Sequence, residues 1–263
     1  MVYSKQELQE GLSVSLIGKK IFAFETIDST NSCAKTLAEA GMEEGSVVLA
    51  DFQSAGKGRL GRAWFSEPGK NILFSFILRP DMDSRSVGTL SLFAAAGVAR
   101  GIESFTGRCI ECKWPNDLLI RGNKFCGILL ESSFSADKLD YAVIGVGINV
   151  NQTEFDSGLL HRSTSLSIET GTPVDRKALF QSILHSLDSL YAQMQNRNNS
   201  GVMKEWLSRN SMIGKQTTVF QDGQKFSGIV QAFNEDGSMV LSISGGLQSF
   251  YSGDVTLDAG EKE

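Results

Sequence analysis

Along this chain the spacing of apolar residues switches between strand-like runs and helical periodicity, and each switch marks an element. Residues 21–28 (Ile-Phe-Ala-Phe-Glu-Thr-Ile-Asp) read as a strand that meets three helix-capping residues, Ser29-Thr30-Asn31. The pattern therefore predicts a helix from there to near Gly41. Ser46 to Phe52 is a buried strand that runs directly into a Gly-rich loop, and Asn71 to Leu78 is an apolar strand stopped by Pro80. Leu90 to Phe105, rich in Ala and Leu with a tolerated Gly97, is a helix; Ile110 to Trp114 is a strand broken by Pro115-Asn116-Asp117. Leu118–Ile120 and Phe125–Glu131 flank Arg121-Gly122-Asn123, a hairpin signature with a Gly-Asn turn. Tyr141 to Val150 is a further strand, containing Gly145 and Gly147.

Helical periodicity returns at Leu179, Phe180, Ile183, Leu184, Leu187, Leu190, Tyr191 and Met194, which predicts an amphipathic helix over 176–194. Residues 196–201 are a polar loop, and Met203 to Leu207 a short helix. After Gly214 the texture changes. Strand-like pieces alternate with Asp222-Gly223, Asp236-Gly237 and Gly245-Gly246, each a preferred tight-turn pair, which predicts a small appended barrel. The organisation expected is a lead-in over 1–20, a main domain over 21–212 and a small β domain over 213–263.

At 263 residues the chain can bury a full core, and 41% hydrophobic with 21% charged residues is ordinary for a soluble protein. The net charge of -5 argues against a general nucleic-acid surface, so any cationic function must be local. No apolar run approaches a membrane span and Met1–Glu10 has no signal-peptide core, so a cytoplasmic location is expected. Cys109-Ile110-Glu111-Cys112 spells C-x-x-C, but no second pair exists and only His161 and His185 could complete a zinc site. The four cysteines are read as reduced structural thiols, and two distant histidines disfavour a Ser-His or Cys-His nucleophile.

The candidate chemistry centres on Gln53-Ser54-Ala55-Gly56-Lys57-Gly58-Arg59-Leu60-Gly61-Arg62. Its glycines spell G-x-G-x-x-G, the dinucleotide fingerprint, but Ala63-Trp64-Phe65-Ser66-Glu67-Pro68-Gly69 cannot open the helix a Rossmann unit requires. Lys57, Arg59 and Arg62 repel one another between glycines that raise the entropic cost of order. A structural turn has no use for that combination, whereas a clamp closing over an anion does. The other clusters are weak singly. Ser29-Thr30-Asn31 also reads as a plain helix cap, Lys113-Trp114 as a strand-end lysine with a surface aromatic, Asn116-Asp117 as a turn, and Gly145 and Gly147 as sheet-packing glycines.

In combination and in order, these clusters resemble the biotin protein ligases. The matching residues are Asp28-Ser29-Thr30-Asn31, Gln53-x-x-Gly56-Lys57-Gly58-Arg59-x-Gly61-Arg62-x-Trp64, Lys113-Trp114-Pro115-Asn116-Asp117, Lys124-x-x-Gly127-Ile128-Leu129-x-Glu131 and Gly145-x-Gly147-Ile148-Asn149-x-Asn151. The resemblance implies an α+β fold, a mixed sheet flanked by helices as in class II aminoacyl-tRNA synthetases, with a C-terminal SH3-like β-barrel. It implies ATP and biotin as substrates with Mg²⁺, formation of biotinyl-5′-AMP, and transfer of biotin to a lysine of a biotin carboxyl carrier protein.

By the same resemblance Ser29, Thr30, Asn31, Gln53, Gly56, Lys57, Gly58, Arg59, Lys113 and Gly127 would contact biotin. Lys57, Arg59, Arg62, Trp64, Lys113, Asn116, Lys124 and Asn149 would contact ATP, and Lys113 and Arg59 would be catalytic. The resemblance designates no metal ligands. Many family members carry Arg where Lys57 stands, so the charge is kept and the bidentate fork is not. Repressor members carry a DNA-binding winged helix ahead of the catalytic domain. Only about twenty residues precede Ile21, so a ligase without DNA binding is expected, and family dimers pair through the central sheet. Two other readings stay open: a lipoate or octanoate ligase of the same fold, and a non-catalytic biotin or adenylate sensor. Arg59 and Lys113 together argue against the sensor, because a pure binder needs less charge at a reacting centre.

Overall fold

Strand alternation decides which face of the central sheet holds the core and which holds the site. The computed structural model describes residues 4–155, 163–195 and 199–257. A short helix α1 (Lys5–Gln9), closed at its start by a Ser4/Glu7 capping box, leads into β1 (Ile21–Ile27), α2 (Thr30–Glu39) and β2 (Val47–Gln53). Next come β3 (Ile72–Leu78), α3 (Thr89–Thr106), β4 (Glu111–Lys113), β5 (Asp117–Ile120), β6 (Asn123–Ser135) and β7 (Lys138–Ile148). These seven strands form one mixed sheet in the order β1-β2-β3-β7-β6-β5-β4, with β1 and β2 parallel across the α2 crossover. The α+β fold implied by the resemblance is the fold observed.

On one face Phe74 and Phe76 of β3, Cys126 and Ile128 of β6, and Ile144, Val146 and Ile148 of β7 enter the large core. Helices α3, α4 (Leu166–Thr170), α5 (Arg176–Gln195) and α6 (Asn199–Leu207) also contribute to that core. On the opposite face α2 covers Val48, Ile77 and Val143 through Ala34 and Ala38. It leaves the β6 end of that face uncovered by helix.

Three local expectations are corrected. The predicted polar loop overlaps α6, which already begins at Asn199; its residues 196–198 lie outside the described residues, as does His161. The β5–β6 turn is Arg121-Gly122 rather than Gly-Asn: Arg121 and Gly122 have φ of 50° and 75°, the paired positive values of a two-residue hairpin turn that fits strand twist. Trp114 is not a surface aromatic but is 2% exposed, and its Nε1 donates to Gly237 O at 2.9 Å.

That bond is one of several that seat the C-terminal sheet on the main body. Strands β8 (Gln216–Gln221), β9 (Gln224–Phe233), β10 (Met239–Ile243), β11 (Gly246–Phe250) and β12 (Asp254–Leu257) pair antiparallel in the order β11-β10-β9-β8-β12, consistent with a small SH3-like domain. Trp206 of α6 meets Phe233 of β9 edge-on at 4.7 Å. At the other end of the chain, Leu8 and Ile17 are fully buried in the main core. The Asp188 carboxylate of α5 accepts from Ser15 N, Leu16 N and Ile17 N at 2.6–2.9 Å, fixing the lead-in segment.

Of the two glycines of α3 that face α5, Gly97 meets a side-chain tip and Gly101 meets backbone. A Cβ on Gly97 would stand 2.6 Å from Leu187 Cδ2, and one on Gly101 would stand 2.7 Å from Ile183 Cα. Backbone cannot yield as a side-chain tip can. Gly101→Ala is therefore expected to destabilise by about 1–3 kcal/mol in urea unfolding, although alanine gains about 1 kcal/mol of helix propensity. A variant as stable as the parent would show that α3 and α5 do not meet this closely.

Candidate active site

The uncovered part of the sheet face is paved by strand positions two apart: Gly127, Leu129 and Glu131 on β6, Gly147 and Gly145 on β7, and Leu73 and Ser75 on β3. Gly127 pairs with Gly147, and Gly145 lies between Ser75 and Leu129. Above this floor is a cavity of about 210 Å³ lined by Ser29, Thr30, Asn31, Gln53, Trp64 and Asn149, among others.

One end of the cavity is polar and ordered by hydrogen bonds among its own side chains. Ser29 caps α2 by accepting from Ser32 N, so the capping role is real and coexists with the site. Gln53 Oε1 accepts from Thr30 N at 2.6 Å and Thr30 Oγ1 at 2.9 Å, which orients its amide with Nε2 as the remaining donor group. Ser75 Oγ donates to Asn31 Oδ1 at 2.6 Å and lies 2.8 Å from Thr30 Oγ1; Asn31 Nδ2 donates to Glu131 Oε2 at 2.8 Å. A Cβ on Gly145 would fall on Asn31 Oδ1, so this network exists only over a glycine.

The loop after β2 forms the roof. Trp64 N donates to Gly56 O and Gly58 N to Arg62 O, closing it as a narrow hairpin with Lys57 bridged to Ala63. Its glycines have separate reasons. A Cβ on Gly56 would stand 2.5 Å from Trp64 O, while Gly61, at φ 72°, follows Leu60 at φ 55°. No helix follows the loop until α3, which disposes of the dinucleotide reading. Arg59 Nη1 donates to Asn116 Oδ1 and Gly253 O, each at 3.1 Å, and Arg62 pairs with Asp254. Burial lowers the Arg59 pKa against the opposing fields of Asp117 and Asp254.

The far end is aromatic and cationic. The Trp64 indole lies over Gly147 and Gly127, where added Cβ atoms would stand 2.5 and 2.9 Å from its ring carbons. Lys124 Nζ sits 5.8 Å from the ring centroid and 2.6 Å from Asp117 Oδ1. Trp64 Nε1 is buried without a protein partner among the described residues. Asn149 donates through Nδ2 to Thr164 O at 3.1 Å. Asn116 is more than a turn residue, since it also donates to Ile128 O at 2.8 Å.

Two expected residues are not in the lining. Gly56 shapes the loop from outside, and Lys113, on β4, lies beside the cavity opposite Asp117 in register. Burial lowers the Lys113 pKa below the usual lysine value, with Asp117 and Asp254 opposing and Lys124 reinforcing. Ser75, Gln152, Ser163 and Asp254 escaped the sequence reading. A hydroxyl at an inward position of a buried apolar strand was the available signal for Ser75. Asp254, 192 residues from Arg62, offered none.

A cationic loop thus closes over a cleft with a hydrogen-bonding end and an aromatic end, on a mixed sheet with an appended small β-sheet. Residues 23–149 match the biotin/lipoate A/B protein ligase family. The bifunctional ligase/repressor BirA of Bacillus subtilis is 34% identical over 97% of this chain and 79% of its own length. The biotin–[acetyl-CoA-carboxylase] ligase of Paracoccus denitrificans is 30% identical over 84% of this chain and 93% of its own. Biotin protein ligase from Aquifex aeolicus, solved with biotin and ATP, superimposes with a TM-score of 0.77 at 29% identity, covering 91% of this chain and 98% of that one. The chain belongs to the biotin protein ligase family.

The floor generates a test independent of activity. Gly147→Ala is expected to lift the Trp64 indole from the sheet, shift tryptophan emission and cost about 1–3 kcal/mol. An unchanged emission spectrum would show that Trp64 does not rest on this strand.

Proposed function

We propose that the cavity under the Gly56–Trp64 loop is where biotin and ATP react, and that the chain is a biotin–protein ligase acting on a carboxylase's biotin carrier. The observation that carries this is the position of the loop cations. Lys57, Arg59 and Arg62 line the roof between the Ser29–Asn31/Gln53 end and the Trp64/Lys124/Asn149 end. Two dissimilar subsites joined beneath positive charge suit the joining of a small uncharged ring's carboxylate to a nucleotide.

In the first step a biotin carboxylate oxygen attacks the α-phosphorus of ATP. The bond from that phosphorus to pyrophosphate breaks, giving biotinyl-5′-AMP; Mg²⁺ accompanying ATP would offset part of the phosphate charge. Charge builds on those oxygens, and pre-positioned cations lower the barrier because they need not reorganise. Arg59 spends its hydrogen bonds on two neutral acceptors rather than on a carboxylate, which suits this task. Lys113 supplies a second cation at the edge of the reacting centre. In the second step the amine of an acceptor lysine attacks the acyl carbon, AMP leaves with the C–O bond pair, and the amine loses a proton. The closed roof keeps water from the mixed anhydride meanwhile.

The oriented Gln53 amide and the Thr30–Ser75–Asn31–Glu131 network supply fixed donors and acceptors for a ureido group, which contains both. The 1,2-dithiolane of lipoate has neither N–H donors nor a carbonyl, so it would leave the network unpaired. The acceptor is a lysine of a biotin carboxyl carrier domain.

The purified chain with biotin, MgATP and a carrier domain is expected to release pyrophosphate and label the carrier, while lipoate gives no labelled product. Labelling with lipoate but not biotin, or with neither, would overturn the reading. Lys113→Ala is expected to slow adenylate formation roughly 100- to 1000-fold, as loss of one charge-stabilising donor does, with thermal unfolding little changed. Normal pyrophosphate release by that variant would remove Lys113 from the reaction.

A further inference from the structure

The loop's own chemistry opposes its closure. Three like charges in six residues repel, Leu60 sits in the left-handed region at φ 55°, and Leu60 and Phe65 are 70% and 71% exposed. Two internal hydrogen bonds, Trp64 N to Gly56 O and Gly58 N to Arg62 O, hold the hairpin to itself but not to the protein. Besides the bond from Arg59 Nη1 to Asn116 Oδ1 of the main domain, what ties its outer end down comes from the C-terminal sheet. Arg62 meets Asp254 through both guanidinium nitrogens, Nη1 lying 3.2 Å from Oδ1 and Nη2 against Oδ2. One residue earlier, Gly253 O accepts from Arg59 Nη1 at 3.1 Å. Consecutive residues of one turn therefore grip two cations of the loop.

That turn is a firm anchor. Gly253 is buried at φ 154°, and a Cβ there would stand 2.6 Å from Val219 Cγ1. Asp254 begins β12, in register with Phe220 of β8, and Val255 behind it is 4% exposed. The sheet in turn is seated on the main body by the Trp114–Gly237 bond and the Trp206–Phe233 contact. A two-pronged arginine–carboxylate pair is specific in direction as well as sign, which suits a latch.

We propose that Asp254 is a positioning residue that latches the Gly56–Trp64 loop over the acyl-adenylate through Arg62, so that the C-terminal sheet controls adenylate retention. This rests on the ligase reading for its consequence but not for its geometry. Asp254 need touch no reacting atom. The Arg62 side chain is 57% exposed and that of Asp254 35%, and a pair so exposed contributes little to global stability. Its effect falls on the local opening equilibrium of the loop, where a small bias changes the open fraction severalfold. An open loop lets water in and biotinyl-5′-AMP out before the acceptor lysine arrives.

The loop carries its own reporter, because Lys57, Arg59 and Arg62 are all trypsin sites. In the full chain, Asp254→Ala is expected to raise cleavage after Lys57 and Arg59, read by mass spectrometry, roughly fivefold. Thermal unfolding should stay close to that of the parent. With biotin and MgATP but no acceptor, the same variant should label the lysines of added serum albumin severalfold faster, as escaped adenylate acylates bystanders.

Exchanging the charges in one chain, Arg62→Asp with Asp254→Arg, should restore protection at Lys57 and Arg59; a merely structural role would not be rescued this way. Should Asp254→Ala fail to fold, the near-isosteric Asp254→Asn replaces it. Parental cleavage and albumin labelling in a folded variant, or failure of the exchange to restore protection, would overturn the latch. Pyrophosphate release by the parent chain separates the two proposals. If the parent makes none, the ligase reading fails while the trypsin result still decides the latch.

Discussion

The site depends on three missing side chains. Gly127, Gly145 and Gly147 occupy positions on one sheet face where any Cβ would meet Asn31 or Trp64 within van der Waals distance. On the opposite face the intervening residues Ile128, Ile144, Val146 and Ile148 are fully or almost fully buried, packing the core. The same two strands thus serve as core wall and as site floor, and the two-residue period keeps the roles apart. Because the floor is backbone, the polar end and the indole can lie close against it, leaving a shallow cleft that a loop of about ten residues can roof.

Charge is arranged by the same economy. The chain is acidic overall, yet Lys57, Arg59, Arg62, Lys113 and Lys124 converge on one region. Asp117 and Asp254 stand among them, pairing with Lys124 and Arg62 respectively. This divides the cations into two kinds. Arg59 bonds neutral acceptors and retains charge for a substrate, while Arg62 and Lys124 are held by carboxylates and fix the geometry around it. Sequence reading singled out Arg59 as catalytic by resemblance, but the partners that hold Arg59 and Arg62 in place lie 57 or more residues away in the chain.

The glycines illustrate how one residue type answers different constraints. In α3, Gly97 and Gly101 admit α5. In the loop, Gly56 admits the Trp64 carbonyl and Gly61 adopts a left-handed backbone. The loop glycines thus answer two separate needs, close approach and positive φ. The G-x-G-x-x-G spelling is shared with dinucleotide folds only because close approach and positive φ are general needs of tight loops.

The sequence by itself determined the elements, the faces of the strands and the cluster of residue types that marks the family, because local periodicity, caps and turn pairs are encoded by near neighbours. It singled out Ser29, Thr30, Asn31, Gln53 and the cationic loop, which the fold brings to one cavity. Tertiary structure alone decided that Trp114 is core, that Ser75 and Glu131 orient the polar end, and that Asp254 grips the roof. Each of these rests on a contact between residues distant in the chain, and burial or a partner's charge cannot be read from a residue's neighbours in sequence.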